Sequence, residues 1–321
     1  TDGGNLATIS AFIDRAQDVS LVSGVTTIGL TKYALTGTVN DDTDTATAVT
    51  YSNLSSAVKN LNISGLTYTD GAADGFNDAI ALTVSATLAS NTAADDITVT
   101  LGTTSAAAGN ALAAGTDTLT LAATLNNFET ISVVSQGGAN AISTLTSSEL
   151  KTLNVSGSRD FTVGLASNTA TTAINASTAT GAFIMTQNGS TTASTIQGGA
   201  GNDTLIGSTK ADSIDGNAGA DSILGADGND SINGGAGNDT ITLTMEKAFT
   251  GFTTGSMKNV ESVTITNNGA ASFGFDGSGT TGVTSYTLNA TAAPITLSDV
   301  ESGVATYNIN GLGSTLFARR Y

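Results

Sequence analysis

Between Gly198 and Thr242 aspartate recurs at 203, 212, 221, 230 and 239, each nine residues after the last. The segment divides without gaps into five units: GGAGNDTLI, GSTKADSID, GNAGADSIL, GADGNDSIN and GGAGNDTIT. Glycine opens every unit. An aliphatic residue stands two positions after each aspartate: Leu205, Ile214, Ile223, Ile232 and Ile241. Carboxylates at fixed intervals, set in Gly-rich turns that expose backbone carbonyls, suit a hard cation with six or so oxygen ligands, which is calcium chemistry. Zinc would want His or Cys, and the chain has neither.

The units match the pattern G-G-x-G-x-D-x-U-x and resemble the RTX repeats of bacterial type I-secreted proteins. That resemblance implies a parallel β-roll in which six residues turn, three form a short strand, and two units complete a coil. Successive coils would stack at about 4.8 Å, with the aliphatic residues pointing inward. Asp203, Asp221 and Asp239 then form one column and Asp212 and Asp230 the other. Pairing neighbours within a column gives about three Ca2+ sites: 203 with 221, 221 with 239, and 212 with 230. Carbonyls of the loop glycines Gly199, Gly201, Gly219, Gly228, Gly235 and Gly237 would complete the cages. Asp227, inside loop four, either adds a ligand or is a solvated turn residue.

Loop two departs from the pattern, with Ser208 and Lys210 where glycines belong. Glycine supplies backbone conformations costly for other residues, so the site using Asp212 is expected to be the weakest. Upstream, Gly189 to Gln197 has the length of a unit and places Ile196 inward, but offers Ser194 in place of aspartate. It reads as a metal-free coil.

The composition excludes several functions. Net charge is −17, yet only 12% of residues are charged, against ~25% in an ordinary domain. Without His or Cys there is no Ser-His-Asp or Cys-His machinery, no HExxH zinc site and no disulfide. With 10 Lys+Arg against 27 Asp+Glu, nucleic acid is not an expected partner, since polyanion binding needs clustered bases. No apolar run is long enough for a membrane span, so insertion is not expected. The chain reads as a segment of a longer protein.

Most of the sequence alternates apolar and polar residues, as half-buried strands do. Examples are Ile80 to Val84, Ile97 to Leu101, Leu119/Leu121, Ile131/Val133, Leu153/Val155 and Val263/Ile265. Leu6 to Asp18 is the best helix candidate, and Ser147 to Leu150 could be one turn. Two segments look like copies: Leu125 to Val133 and Met257 to Ile265 each place an apolar-Glu pair before a strand. A second echo links Val58 to Gly65 with Leu150 to Gly157, and Val283 to Ala290 is a degenerate third version. The clusters Asp41/Asp42/Asp44, Asp70/Asp74/Asp78 and Asp95/Asp96 read as solvated turns, because their spacing fits no EF-hand loop. The expected fold is all-β: stacked β-solenoid or sandwich segments around a central parallel β-roll of about two to three coils. The expected divisions are 1–115 (N-terminal β-rich), 116–197 (β-strand or solenoid), 198–242 (calcium-binding roll) and 243–321 (C-terminal strands).

The repeat alone does not give a function. The Thr/Ala/Ser/Asn/Gly-rich flanks, poor in Lys and punctuated by strands such as Phe128-Glu129-Thr130-Ile131, resemble self-assembling S-layer proteins of the RTX class. The resemblance implies a non-enzymatic, extracellular protein of the bacterial cell surface, exported by type I secretion, whose main partner is itself. Cell-surface polysaccharide, bound through parts outside this segment, is a further partner. A calcium-rigidified adhesin is the alternative, and a carboxylate-only glycosidase is the one enzymatic chemistry left open.

Overall fold

A computed structural model describes residues 8–10, 16–18, 24–31, 34–36, 47–64, 67–69, 79–92, 94–102, 118–225, 230–245, 257–291, 293–300, 302–311 and 315–317. The chain divides into two compact units, Thr1–Thr171 with Thr178–Gly189, and Thr172–Ser177 with Ser190–Tyr321. Both are built from parallel strands stacked as a solenoid, and the only helical element among the described residues is a 3-10 turn at Gly277–Gly279.

In the first unit, one sheet runs in the order Thr8–Ser10, Thr27–Thr31, Asn60–Ser64, Asp96–Gly102, Thr130–Gln136 and Thr152–Gly157. The other runs Ala16–Asp18, Thr47–Leu54, Ala79–Leu88, Thr118–Asn126, Asn140–Thr146, Phe161–Leu165 and Phe183–Asn188. The chain alternates between the sheets, so each coil gives each sheet one strand. Alternation puts one row per strand into the interior: Ile97, Val99 and Leu101 are buried, as are Ile131 and Val133, while the Thr and Ser between them are half-exposed. Thr suits those outer positions because a β-branched side chain packs on a pleated, half-solvated surface.

The second unit continues the same design. Ala173–Asn175 pairs with Thr195–Gln197, followed by Ser213–Asp215, Ser231–Asn233 and Met257–Lys258 in one sheet. Thr204–Ile206, Ser222–Leu224, Thr240–Met245, Ser262–Asn267, Ser285–Ala290 and Thr306–Gly311 form the other. The registers align the inward residues in two ladders, Ile196-Ile214-Ile232-Met257 and Leu205-Ile223-Ile241-Val263-Tyr286. All nine of these side chains are 0–1% exposed.

Two expectations are corrected. Parallel winding is not confined to two or three coils: it runs through the flanks of the nonapeptides in both units. The flanking strands recur at unequal intervals, so no nine-residue period announces their stacking. The helix expected over 6–18 is also absent from the described part of that range, where Thr8–Ser10 and Ala16–Asp18 are strands. Thr8 and Ile9 are β-branched and favour a strand, whereas Ala16–Asp18 has no such preference and is held by pairing with Thr50–Ser52. The segment 147–150 is a simple turn, with Ser147 N–H donating to Asn168 Oδ1 at 2.9 Å.

The sequence echoes are one structural position repeated. In each, a buried apolar residue (Val58, Phe128, Leu150, Val260 or Val283) enters the coil. The next two N–H groups then converge on a single carbonyl of the preceding coil. Lys59 and Asn60 donate to Thr26, Glu129 and Thr130 to Asp95, Lys151 and Thr152 to Glu129, Glu261 and Ser262 to Asp239, and Thr284 and Ser285 to Glu261.

Candidate metal centre

In the nonapeptides that same position, just before each strand, is held by aspartate. Asp203 N–H donates to Asp221 Oδ1 at 2.8 Å, and Asp221 N–H donates to Asp239 Oδ1 at 2.8 Å. On the opposite edge Ser194 N–H donates to Asp212 Oδ1 and Asp212 N–H to Asp230 Oδ1, both at 2.7 Å. Asp212, Asp221, Asp230 and Asp239 thus each spend one oxygen on the backbone of the preceding coil. All five aspartates are 0–2% exposed.

The second oxygens differ. Gly199 N–H donates to Asp203 Oδ2 at 2.5 Å. Asp212 Oδ2 accepts both the N–H (2.6 Å) and the hydroxyl (2.9 Å) of Ser208. Asp221 Oδ2 and Asp239 Oδ2 have no hydrogen-bond partner. A buried ionised carboxylate without a partner is costly, so these atoms are where a cation is wanted.

The loops around them bring backbone oxygens together. Loops one, three and five lie on one edge, with Ala218 N–H donating to Gly199 O (3.2 Å), Ala236 N–H to Asn217 O (2.8 Å) and Gly219 N–H to Ala236 O (2.9 Å). The carbonyl of Gly201 sits so close to Gly219 that a Cβ there would meet it at 2.1 Å; at Gly237 the carbonyl of Gly219 would be met at 1.7 Å. Both glycines have positive φ, +130° and +147°, so side chain and backbone alike exclude other residues. Gly235 is pressed in the same way by Asn217 O at 2.1 Å. Asp227 and Gly228 lie outside the described residues. Among the described residues no three His, Cys, Asp or Glu side chains converge, so any cage here is two carboxylates completed by main-chain oxygens. That donor set, all oxygen and held in turns, fits Ca2+.

The profile of the RTX calcium-binding nonapeptide repeat (4 copies) matches residues 188–209 and 206–241. The chain thus carries RTX calcium-binding nonapeptide repeats over this segment. Its nonapeptides bind Ca2+. Comparisons with curated proteins and with solved structures give no match.

The electrostatics of the RTX column agree with a site built for a cation. The Asp221 carboxyl is pushed up to about 7 by burial and by the charges of Asp203, Asp239 and Asp215, against the hydrogen bond from Asp203 N–H. Asp239 is raised by burial and by Glu261, against the hydrogen bond from Asp221 N–H. The upstream unit holds Ser194 at the aspartate position, with Ile196 inward and 0% exposed. There the Ser194 hydroxyl donates to Ser190 Oγ at 3.2 Å, and Ser190 Oγ donates to Thr192 O at 2.8 Å. Hydroxyls stitch that loop where the RTX loops have carboxylates.

Sequence reasoning missed three participants. Asn217 takes a place equivalent to Gly235 with φ +67°. Glu261 accepts the N–H of Asp239 at 2.7 Å through Oε2, continuing the column past the last repeat. Asp95 is not a solvated turn residue: it is 3% exposed, its N–H donates to Glu129 Oε2 at 2.8 Å and its Oδ2 accepts Thr92 N–H at 2.7 Å. Asp96 beside it is exposed and ion-paired with Lys59. The paired apolar-Glu motifs were the available signal for both glutamates.

Proposed function

We propose that this RTX protein is a non-enzymatic structural component of a bacterial cell surface, exported by type I secretion and assembling with copies of itself into an S-layer. The observation that carries the reading is the buried carboxylate column, with Asp221 Oδ2 and Asp239 Oδ2 unpartnered, inside a solenoid of small and β-branched residues. Three sites, at Asp203/Asp221, Asp221/Asp239 and Asp212/Asp230, would couple folding of the roll to the cation.

Bound calcium supplies charge that offsets the stacked carboxylates. Before export the column opposes coil stacking, which keeps the roll open for passage through a narrow channel. Outside the cell, calcium exceeds the 10⁻⁴–10⁻³ M range roughly expected of extracellular modules. Each site at ten times its dissociation constant then contributes about 1.4 kcal/mol to folding. The Thr/Ala/Gly-rich flanks, poor in Lys, suit a scaffold whose surface packs against copies of itself.

Electron microscopy of the purified protein with and without calcium tests this. Ordered sheets or lattice patches with calcium, dispersed by chelator, are the expected result. A protein that stays monomeric at high concentration with calcium, yet binds cells, would favour a calcium-rigidified adhesin instead.

A further inference from the structure

The Asp203/Asp221/Asp239 column does not end with the nonapeptides. At Gly198 the space of a Cβ is taken by Gly216 O (2.5 Å) and Asp203 Oδ2 (2.4 Å), and at Gly216 by Gly234 O (2.2 Å) and Asp221 Oδ2 (2.3 Å). At Gly234 it is taken by Asn259 O (1.8 Å) and Asp239 Oδ2 (2.6 Å). Asn259 therefore occupies the place of the next loop's opening glycine, although no nonapeptide is there. The neighbouring ladder agrees: Gly198 N–H donates to Asp215 O, Gly216 N–H to Asn233 O and Gly234 N–H to Lys258 O, at 2.8–3.0 Å.

Three residues, Asn259-Val260-Glu261, replace the six of a full loop. Asn259 turns the chain with φ +51°, Val260 plugs the interior at 0% exposure, and Glu261 accepts from Asp239 N–H as Asp239 accepts from Asp221 N–H. The longer glutamate side chain makes up for the shorter turn. What remains is Asp239 Oδ2, 0% exposed and without a partner, beside the carbonyl of Asn259.

We propose that Asp239, Glu261 and the Asn259 carbonyl form a further calcium site that caps the column, outside the repeat that defines the others. The related Asp95/Glu129 pair is different, because there Asp95 Oδ2 already accepts Thr92 N–H. The inference rests on the nonapeptides binding calcium and is independent of lattice assembly.

Calcium per chain, counted by equilibrium dialysis with elemental analysis, tests it in the wild type and in Glu261→Gln. The glutamine keeps an acceptor for Asp239 N–H, so the fold is retained while one charge is lost. Glu261→Gln is expected to bind one ion fewer than wild type, whatever the wild-type total. A second variant, Asp212→Asn, should lose its own ion on the opposite edge and keep the capping ion, so that Asp212→Asn combined with Glu261→Gln loses two. An unchanged count in Glu261→Gln overturns the capping site while leaving the repeat sites standing. A wild type that binds no calcium overturns both. Failure of lattice formation with the counts as expected would sink only the S-layer reading.

Discussion

Asp221 N–H donates to Asp239 Oδ1 at 2.8 Å across 18 residues, while Asp239 Oδ2, fully buried, meets no donor. Each inner carboxylate thus faces two ways, fixing the coil before it with one oxygen and offering the other to a cation. Asp221 belongs to two proposed sites and Asp203 to one. Asp221→Asn is expected to lose two calcium ions and Asp203→Asn one, read by dialysis or calorimetric stoichiometry. Equal losses would show that the carboxylates are not shared along the column.

The pH response follows from the raised carboxyls. Asp221 titrates at about 7 in the metal-free fold against 3.8 for an ordinary aspartate, and Asp239 is shifted in the same direction. A raised carboxyl pKa means the folded state holds the proton more tightly than the unfolded chain. Its contribution is therefore favourable at low pH and is lost as pH rises from about 4 through about 7. In chelator, the melting temperature should fall between pH 5 and pH 8. With saturating calcium the trend should reverse, because the proton must leave for the ion to bind. Calorimetry in two buffers of different ionisation heat should detect proton release near pH 6; none detected would sink this account.

Loop two is expected to fill last. Asp212 Oδ2 is already bound by Ser208 N–H and Oγ, and Ser208 Oγ also accepts Lys210 N–H at 3.2 Å. Calcium there must displace hydrogen bonds that the Asp221 site does not have. Ser208→Gly should tighten calcium binding at the Asp212/Asp230 edge several-fold and lower melting temperature in chelator. An affinity unchanged by that substitution would place the weakness of loop two elsewhere, at Lys210.

How much of this was legible in the sequence depends on period. The nine-residue spacing carried the columns, the inward Leu205, Ile214, Ile223, Ile232 and Ile241, and the stacking of the upstream unit with Ile196 inward, because every unit has the same length. The flanks share the winding, but their strands recur at unequal intervals, so Ile131 and Leu153 pair in register with no fixed spacing to announce it. Glu261 and Glu129 were visible only as a sequence echo, since nothing in a lone sequence says that a glutamate accepts the N–H of an aspartate 22 or 34 residues earlier. Asp95 reads as a solvated turn residue because its spacing fits no EF-hand loop, and spacing carries no sign of the burial that its bond to Glu129 imposes. The helix at 6–18 gives way to strands because the β-branched Thr8 and Ile9 favour one locally, and Ala16–Asp18 is held by its pairing with Thr50–Ser52.

Backbone crowding gives a test that leaves every charge in place. A Cβ at Gly237 would lie 1.7 Å from Gly219 O, at φ +147°, so Gly237→Ala must push loop five away from loop three. Loss of calcium from the Asp221/Asp239 site is expected, with the carboxylates intact. Gly274, on the strand Phe273–Asp276, has nothing within 4 Å of an added Cβ, and Gly274→Ala should leave binding and stability unchanged. Equal effects of the two substitutions would mean that loop stacking does not position the ligands.

The inward ladder should carry stability even when the metal is present. Ile223 is 0% exposed and pairs in register with Leu205 on one side and Ile241 on the other. Coils this thin hold one aliphatic row per strand, so a truncated side chain has few neighbours able to move into the space. Ile223→Ala is expected to cost about 3 kcal/mol in urea unfolding at saturating calcium, within the range for buried aliphatic-to-alanine changes. Ile309, 45% exposed on the strand Thr306–Gly311, offers the contrast, and Ile309→Ala should change stability by no more than about 0.5 kcal/mol. If calcium alone set the stability of the roll, Ile223→Ala would leave the unfolding midpoint at saturating calcium unchanged. A loss of the expected size at saturating calcium assigns the stability to the packed ladder and the switch to the carboxylate column.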